Sequence, residues 1–213
     1  ASGITTVNDW DHNVRGPGYA DANARAILDS GLRARYSYGN PDKFDPALVM
    51  DLDDILRFER DWVGASGDGR ITLGMAMRGP VRTERGVCLQ EWAFARDHGL
   101  PMTMHCGGRR DESGRYCELE AMAADGLLGA DLQVVHAVHA TRREIELLAS
   151  TGTHLSLSPL TEYRSMGIPP LGTFLDAGIL VSLSIDTVAI PTTADMLLQM
   201  NATLSVERAR TGG

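Results

Sequence analysis

Two histidines and one aspartate stand where apolar runs of the sequence end, and all three carry side chains that can bind a divalent metal. His105, His136 and Asp186 each follow a run that is rich in apolar residues. Imidazole nitrogens and carboxylate oxygens are the ligands of catalytic zinc, which also keeps one position open for water. These residue types therefore predict a metal site, provided that the fold brings the ends of the three runs to one place.

The apolar runs alternate with segments whose apolar residues recur every three or four positions, which is the spacing of an amphipathic helix. The predicted strands are Gly3–Asp9, Arg33–Tyr38, Ile71–Met77, Pro101–Cys106, Leu132–Ala137, Thr153–Leu157 and Ile179–Ile185. The predicted helices are Tyr19–Ser30, Asp51–Ala65, Gly86–His98, Cys117–Asp125, Thr141–Ser150, Leu171–Ala177 and Thr193–Arg208. Strict alternation of strand and helix predicts a parallel sheet, because each return to the same edge needs a crossover.

Seven strand–helix units, spaced by roughly 30 residues, are one fewer than the eight of a (β/α)₈ TIM-type barrel. The predicted fold is therefore an incomplete α/β barrel with about seven parallel strands, forming one domain over residues 1–213. An open doubly wound sheet would also hold seven strands, but no Gly-x-Gly-x-x-Gly or P-loop pattern follows any strand. In a barrel, the active site lies at the carboxyl ends of the strands, where His105, His136 and Asp186 are expected.

Composition and charge narrow the classes of partner. The net charge is −8, with 20 Lys and Arg against 28 Asp and Glu, and no basic run is interleaved with aromatic residues. A nucleic-acid partner is therefore not expected. No apolar stretch approaches the ~20 residues of a membrane-spanning helix, so we expect a cytoplasmic protein that acts on a small molecule.

Three further polar or aromatic residues follow predicted strands and are candidates for contact with a substrate. They are Trp10, Arg78 and Glu162. Residues at the carboxyl ends of barrel strands commonly contact ligands. Arg78 and Glu162 could equally pair with other charges in the loops, and position alone does not decide between these two roles.

Several motifs resemble a known family in both order and spacing. Gly3–Trp10 resembles the second strand of that family's barrel, Pro101–His105 the fifth, Gln133–His136 the sixth, Leu155–Pro159 the seventh and Val181–Asp186 the eighth. The sequence is thereby similar to the metal-dependent amidohydrolase superfamily, in its cytosine-deaminase-like or chlorohydrolase-like branch. The resemblance covers almost the whole chain.

The resemblance implies a metal-dependent hydrolase that acts on C–N bonds, such as a deaminase or amidohydrolase of a small nitrogen-containing heterocycle. It implies that His105 and Asp186 bind one metal ion, most often zinc and in some members iron or manganese. Asp186 would also be the general base, and neutral His136 would be catalytic by donating a hydrogen bond to developing charge.

Two features of the family's pattern have no counterpart in this sequence. There is no His-x-His pair of the kind that the family carries on its first strand, and the chain begins at the second strand of the pattern. Gly108 stands where the deaminases carry a glutamate. Glu112 or Glu118 could take this role from the loop, although a solvated charge or a helix-start residue is the favoured interpretation of each. We therefore expect a barrel without its first strand and weak binding of metal by this chain.

Two alternative functions remain open from the sequence. A truncated barrel could be catalytically silent, or His105 and Asp186 could serve as acid and base in a metal-independent isomerase or lyase. A barrel lacking one unit would expose two strand edges, so association with a second copy is also expected.

Overall fold

The structure, a computed structural model, describes residues 3–64, 69–106 and 118–212. The strands are Thr6–Asp11 (β1), Arg33–Tyr38 (β2), Ile71–Met77 (β3), Met102–Cys106 (β4), Leu132–His136 (β5), His154–Leu157 (β6) and Val181–Leu183 (β7). The helices are Pro17–Ser30 (α1), Leu52–Phe58 (α2), Arg85–Asp97 (α3), Glu118–Ala124 (α4), Arg142–Thr151 (α5), Pro159–Ser165 (α6), Leu171–Asp176 (α7) and Met196–Thr211 (α8). A π-helical turn, Glu59–Val63, continues α2.

The chain groups into two compact units, and the boundary falls within β4. In the unit Thr5–Met104, each strand pairs in parallel with the next along the chain, from β1 to β4. In the unit that contains His105–Gly213, β5 pairs in parallel with β6, and β6 with β7. The prediction of parallel α/β units is confirmed, whereas one domain over residues 1–213 stays a prediction.

The strand β3 shows why these strands form a parallel sheet. Six of its seven residues are buried, and Ile71 and Met75 are fully inaccessible. Near-continuous burial is typical of parallel strands, which are covered on both faces by helices and neighbouring side chains. At Gly74, an added Cβ would lie 2.8 Å from the carbonyl oxygen of Pro101, so only glycine allows the adjacent segment to approach this closely.

The helix α5 shows strong local signals for its bounds. Thr141 accepts a hydrogen bond from the Glu144 backbone N–H, and the Glu144 carboxylate accepts one from the Thr141 N–H. This reciprocal capping box satisfies two N–H groups that the first turn leaves without partners. The helix ends at Gly152, whose left-handed backbone (φ 69°) favours glycine.

The helix α8 buries polar residues and exposes apolar ones. Gln199 is inaccessible, and its side-chain oxygen accepts a hydrogen bond from the Leu160 N–H in the first turn of α6. Leu197, Met200 and Leu204 are more than half exposed. The buried amide therefore links α6 to α8 by a hydrogen bond. Association with a second copy of the chain stays a prediction.

Several predicted bounds shift by one to three residues in the structure, and three of the differences change how individual residues are placed. The first strand is Thr6–Asp11 rather than Gly3–Asp9, so Trp10 lies within β1 and does not follow it. The last strand is shorter than predicted, Val181–Leu183. The sequence analysis missed α6, although Pro159 at its first position is a common signal for a helix start.

Within the described ranges, no helix combines the length and the hydropathy needed to cross a membrane.

Glu91 lies inaccessible on α3, and we predict that its ionisation makes the stability of the protein depend on pH. Burial raises its pKa from 4.5 to about 7, although the Met50 N–H and Arg78 oppose the rise. Between these pH values the folded state keeps a proton that the unfolded state loses, so the free energy of unfolding falls as pH rises. Glu91→Gln should remove this fall, worth up to about 3 kcal/mol across the window.

Urea unfolding at several pH values between 4.5 and 8 would measure this difference. Glu84→Gln, which changes an exposed glutamate at the start of the same helix, is the control and should keep the wild-type slope. Identical pH profiles for Glu91→Gln and the wild type would contradict the prediction.

Candidate functional site

Two of the three predicted metal-binding or catalytic residues lie beside each other. His105 is on β4 and His136 is the last residue of β5. Their imidazole rings stack with centroids 5.4 Å apart and an interplanar angle of 16°. His105 is half-buried and His136 is buried, so the sequence prediction that these strand ends meet is confirmed for this pair.

Glu162 lies next to His136 and is completely buried. One of its carboxylate oxygens, Oε1, is 3.0 Å from Nδ1 of His136 and accepts a hydrogen bond of 2.8 Å from the Ser158 N–H. Ser158 is the N-cap residue of α6, and Glu162 is in the first turn of that helix. The short helix therefore holds a carboxylate against one nitrogen of the imidazole.

The backbone is strained at two of the predicted site residues. Among the described residues, four other than glycine have a left-handed φ, and they are His136 (76°), Ala137 (45°), Asp186 (59°) and Thr192 (59°). Such a conformation costs roughly 1–3 kcal/mol per residue, and residues that adopt it cluster at active sites, ligand clamps and switch regions. Its occurrence at His136 and Asp186 is consistent with a site at these residues, independently of their side-chain chemistry.

Asp186 does not complete a metal site in this structure. Its side chain is exposed, and its N–H donates to the Ser184 hydroxyl at 2.9 Å. In the part of the chain that the structure describes, no three His, Cys, Asp or Glu side chains lie close enough together to hold a metal ion. The imidazoles have the right chemistry for zinc, but the described donors are too few to fit it.

Arg78, a predicted substrate contact, is buried and bound to the loop that precedes α2. Its Nη1 donates to the Asp45 carbonyl at 3.1 Å, and its Nη2 donates to the Leu48 carbonyl. Only 1% of Arg78 is exposed. These bonds hold residues 45–48 against the end of β3, and contact with a substrate stays a prediction.

Trp10 and His12 form an aromatic pair near the end of β1. Their ring centroids are 6.1 Å apart in an edge-to-face arrangement, and His12 is exposed while Trp10 is half-buried. Contact of Trp10 with a substrate stays a prediction.

Of the two residues that could replace the glutamate of the deaminases, the structure describes only Glu118. Gly108 and Glu112 lie outside the described residues, as does Cys117, the first residue of the predicted fourth helix. Glu118 begins α4 and is buried. Its place at the helix start agrees with the favoured interpretation as a helix-start residue, and its burial excludes a fully solvated charge.

The sequence matches the model of the amidohydrolase family over residues 1–212. This chain belongs to that family. The match agrees with the resemblance in the strand motifs, and it does not favour a catalytically silent fragment or a metal-independent isomerase or lyase.

Among its relatives, this amidohydrolase chain is 29% identical over 207 residues to a 5-methylthioadenosine/S-adenosylhomocysteine deaminase of Thermococcus onnurineus, covering 93% of the chain and 47% of the relative. A guanine deaminase of C. acetobutylicum is structurally similar, with a TM-score of 0.76, 17% identity and coverage of 99% of this chain and 54% of the deaminase. An adenosine deaminase of Xanthomonas campestris with bound zinc has a TM-score of 0.77, 18% identity and coverage of 99% and 48%. These likenesses confirm the predicted barrel fold class. The chain spans about half the length of the curated relatives it matches.

We predict that this amidohydrolase chain binds zinc weakly by itself. The described donors provide two adjacent imidazoles, so the binding free energy should fall well short of the ~10–16 kcal/mol of four-ligand zinc peptides. Competition with a chromogenic chelator would measure the affinity. His105→Ala should weaken it further, while His98→Ala, at the end of α3, should not. Tight binding that survives His105→Ala would contradict the site.

A second prediction concerns the loop that Arg78 holds. Lys43 is the only lysine in the chain and lies two residues before Asp45, so a lysine-specific protease can cut the chain only there. Arg78→Met removes two hydrogen bonds from the loop and leaves their carbonyls without these donors, so Lys43 should be cut at least tenfold faster, since cleavage follows local opening.

Arg82→Met is the control for this cleavage experiment, because Arg82 contacts the same loop through a longer ion pair, with Asp42 at 3.7 Å. Cleavage at the wild-type rate in Arg78→Met would show that the guanidinium does not hold the loop.

Proposed function

We propose that this chain forms the main part of the catalytic barrel of a metal-dependent hydrolase that acts on C–N bonds. The family match over residues 1–212 is the observation that carries the proposal. The stacked His105 and His136 support it, because they lie together at the strand ends that the family motifs predicted.

We propose a deaminase of purine-type heterocycles or nucleosides as the specific activity. The similar proteins named above are deaminases of 5-methylthioadenosine and S-adenosylhomocysteine, guanine and adenosine, and a further relative, in Methanosarcina barkeri, is a 5'-deoxyadenosine deaminase; all of these compounds carry an exocyclic amine on a purine. The net charge of −8 disfavours large polyanionic substrates, which is consistent with a small and largely uncharged one.

For the cofactor we propose zinc, with His105 and Asp186 among its ligands. Zinc is present in the structure of the Xanthomonas campestris relative. Because the described donors are too few, this proposal requires ligands beyond those that the structure describes.

The proposed roles in the reaction follow from the chemistry of the side chains. The Asp186 carboxylate accepts the proton of the attacking water, and its exposure leaves it accessible for this transfer. His136, buried and fixed by Glu162, lies beside the reacting atoms. Because Glu162 contacts His136, we propose that it positions this histidine and does not contact the substrate directly. We also propose that Trp10 and Arg78 contact the substrate.

Ammonia release from 5'-methylthioadenosine, 5'-deoxyadenosine and guanine tests the proposed activity. The chain would be assayed with zinc, both alone and fused to the part of the Thermococcus onnurineus deaminase that precedes the matched region. The fusion should release ammonia from at least one of these compounds, and His105→Ala should abolish the release. A folded fusion that binds zinc and releases no ammonia from any of them would contradict the proposal.

We predict that Asp186→Asn in the active protein lowers turnover by ~10² to 10⁴. An amide oxygen can still approach a metal, but an amide cannot take a proton from water. His105→Ala should instead lower metal occupancy and regain part of its activity in excess zinc. Full recovery of Asp186→Asn at high zinc would show that Asp186 serves only to bind metal.

A further inference from the structure

The contact between His136 and Glu162 determines which nitrogen of the imidazole carries the proton. Both side chains are buried, with 4% of His136 and none of Glu162 exposed. The Oε1 atom of Glu162 already accepts the Ser158 N–H at 2.8 Å. An oxygen in this position acts as an acceptor, so the proton in the 3.0 Å contact belongs to Nδ1 of His136.

We infer that Glu162 is a positioning residue that fixes a proton on Nδ1 of His136, so that the ring in its neutral form carries its lone pair on Nε2. A neutral imidazole has one donor nitrogen and one acceptor nitrogen. Nε2 therefore accepts a hydrogen bond from the attacking water and does not donate one to developing charge. This reverses the role that the family resemblance implied for His136, and its part in catalysis rests on the function proposed above.

The supports of the carboxylate show that it is held in place. Glu162 is in the first turn of α6, whose N-cap N–H binds Oε1. Gln199 of α8 accepts the Leu160 N–H of the same turn at 3.1 Å. The helix backbone and the hydrogen bond from Ser158 together hold the carboxylate in one position. A carboxylate held in this way can select one tautomer and one orientation of the imidazole that it contacts, as it does at other histidine–carboxylate pairs.

The structure around His136 and Glu162 contains features that lower the stability of the fold. The second carboxylate oxygen of Glu162, Oε2, is buried with no hydrogen-bond partner among the described residues, and so are the hydroxyls of Ser158 and Thr161. The backbone at His136 and Ala137 is left-handed. Buried polar atoms without partners and strained backbone together are typical of sites kept for function.

The protonation pattern is measurable by ¹⁵N NMR of the imidazoles in the 213-residue chain, without metal or substrate. In the wild type at pH 8, His136 should show a protonated Nδ1 and an unprotonated Nε2. The spectrum is read at a pH at which the ring is neutral, and a neutral Nε2–H tautomer there would overturn the inference. Since this readout needs no activity, it stands apart from success or failure of the proposed function.

Variants then test whether Glu162 causes the pattern. Glu162→Met should yield a population of the Nε2–H tautomer, and an unchanged spectrum would overturn the inference. If Glu162→Met does not fold, Glu162→Gln replaces it, since its amide offers Nδ1 a donor as well as an acceptor and should populate both tautomers. Glu144→Met is the matched control, because Glu144 is a buried glutamate in the first turn of α5 and should leave the His136 signals unchanged.

In an active fusion, Glu162→Gln should lower kcat by about 10- to 100-fold, the usual effect of losing a partner behind a catalytic ligand or base, with KM nearly unchanged. Glu144→Gln should keep the wild-type kcat. A loss in Glu162→Gln that appears in KM alone would indicate direct contact with the substrate and overturn the positioning role.

Discussion

Parallel pairing between consecutive strands is the constraint on which the rest of this structure depends. A parallel neighbour can be reached only through a crossover, so helices regularly intervene between the strands. Within each compact unit, the pairing brings the carboxyl ends of neighbouring strands to the same edge. The loops that follow these ends therefore collect polar side chains from distant parts of the sequence, and the interior of each unit is left to apolar ones.

Much of this arrangement could be predicted from the sequence because it depends on local patterns. The bounds of β2 and β3 were predicted correctly, since Gly31 and Gly39 lie close to the two ends of β2, and Arg70 and Arg78 flank the apolar run of β3. The neighbouring positions of His105 and His136 followed from the parallel alternation of strands and helices. The first strand was placed up to three residues too early because Gly3–Thr5 is also compatible with an extended segment.

The partner of His136 could not be predicted, because it depends on tertiary structure. Glu162 is 26 residues away in the sequence, in a short helix that is absent from the predicted elements. The sequence analysis selected Glu162 for its place after a strand and left open whether it pairs with another residue. No local pattern reveals that the Ser158 N–H and a buried amide from α8 hold this turn.

The left-handed backbone after β5 also restricts which mutations the chain can accept. Ala137 is 1% exposed and has a φ of 45°, so position 137 must be both small and tolerant of a positive φ. Glycine meets both demands, whereas valine, isoleucine or any larger side chain meets neither. In a deep mutational scan selected only for folding, position 137 should therefore be among the least tolerant positions in its unit. During evolution, only one or two residue types would be accepted at this position.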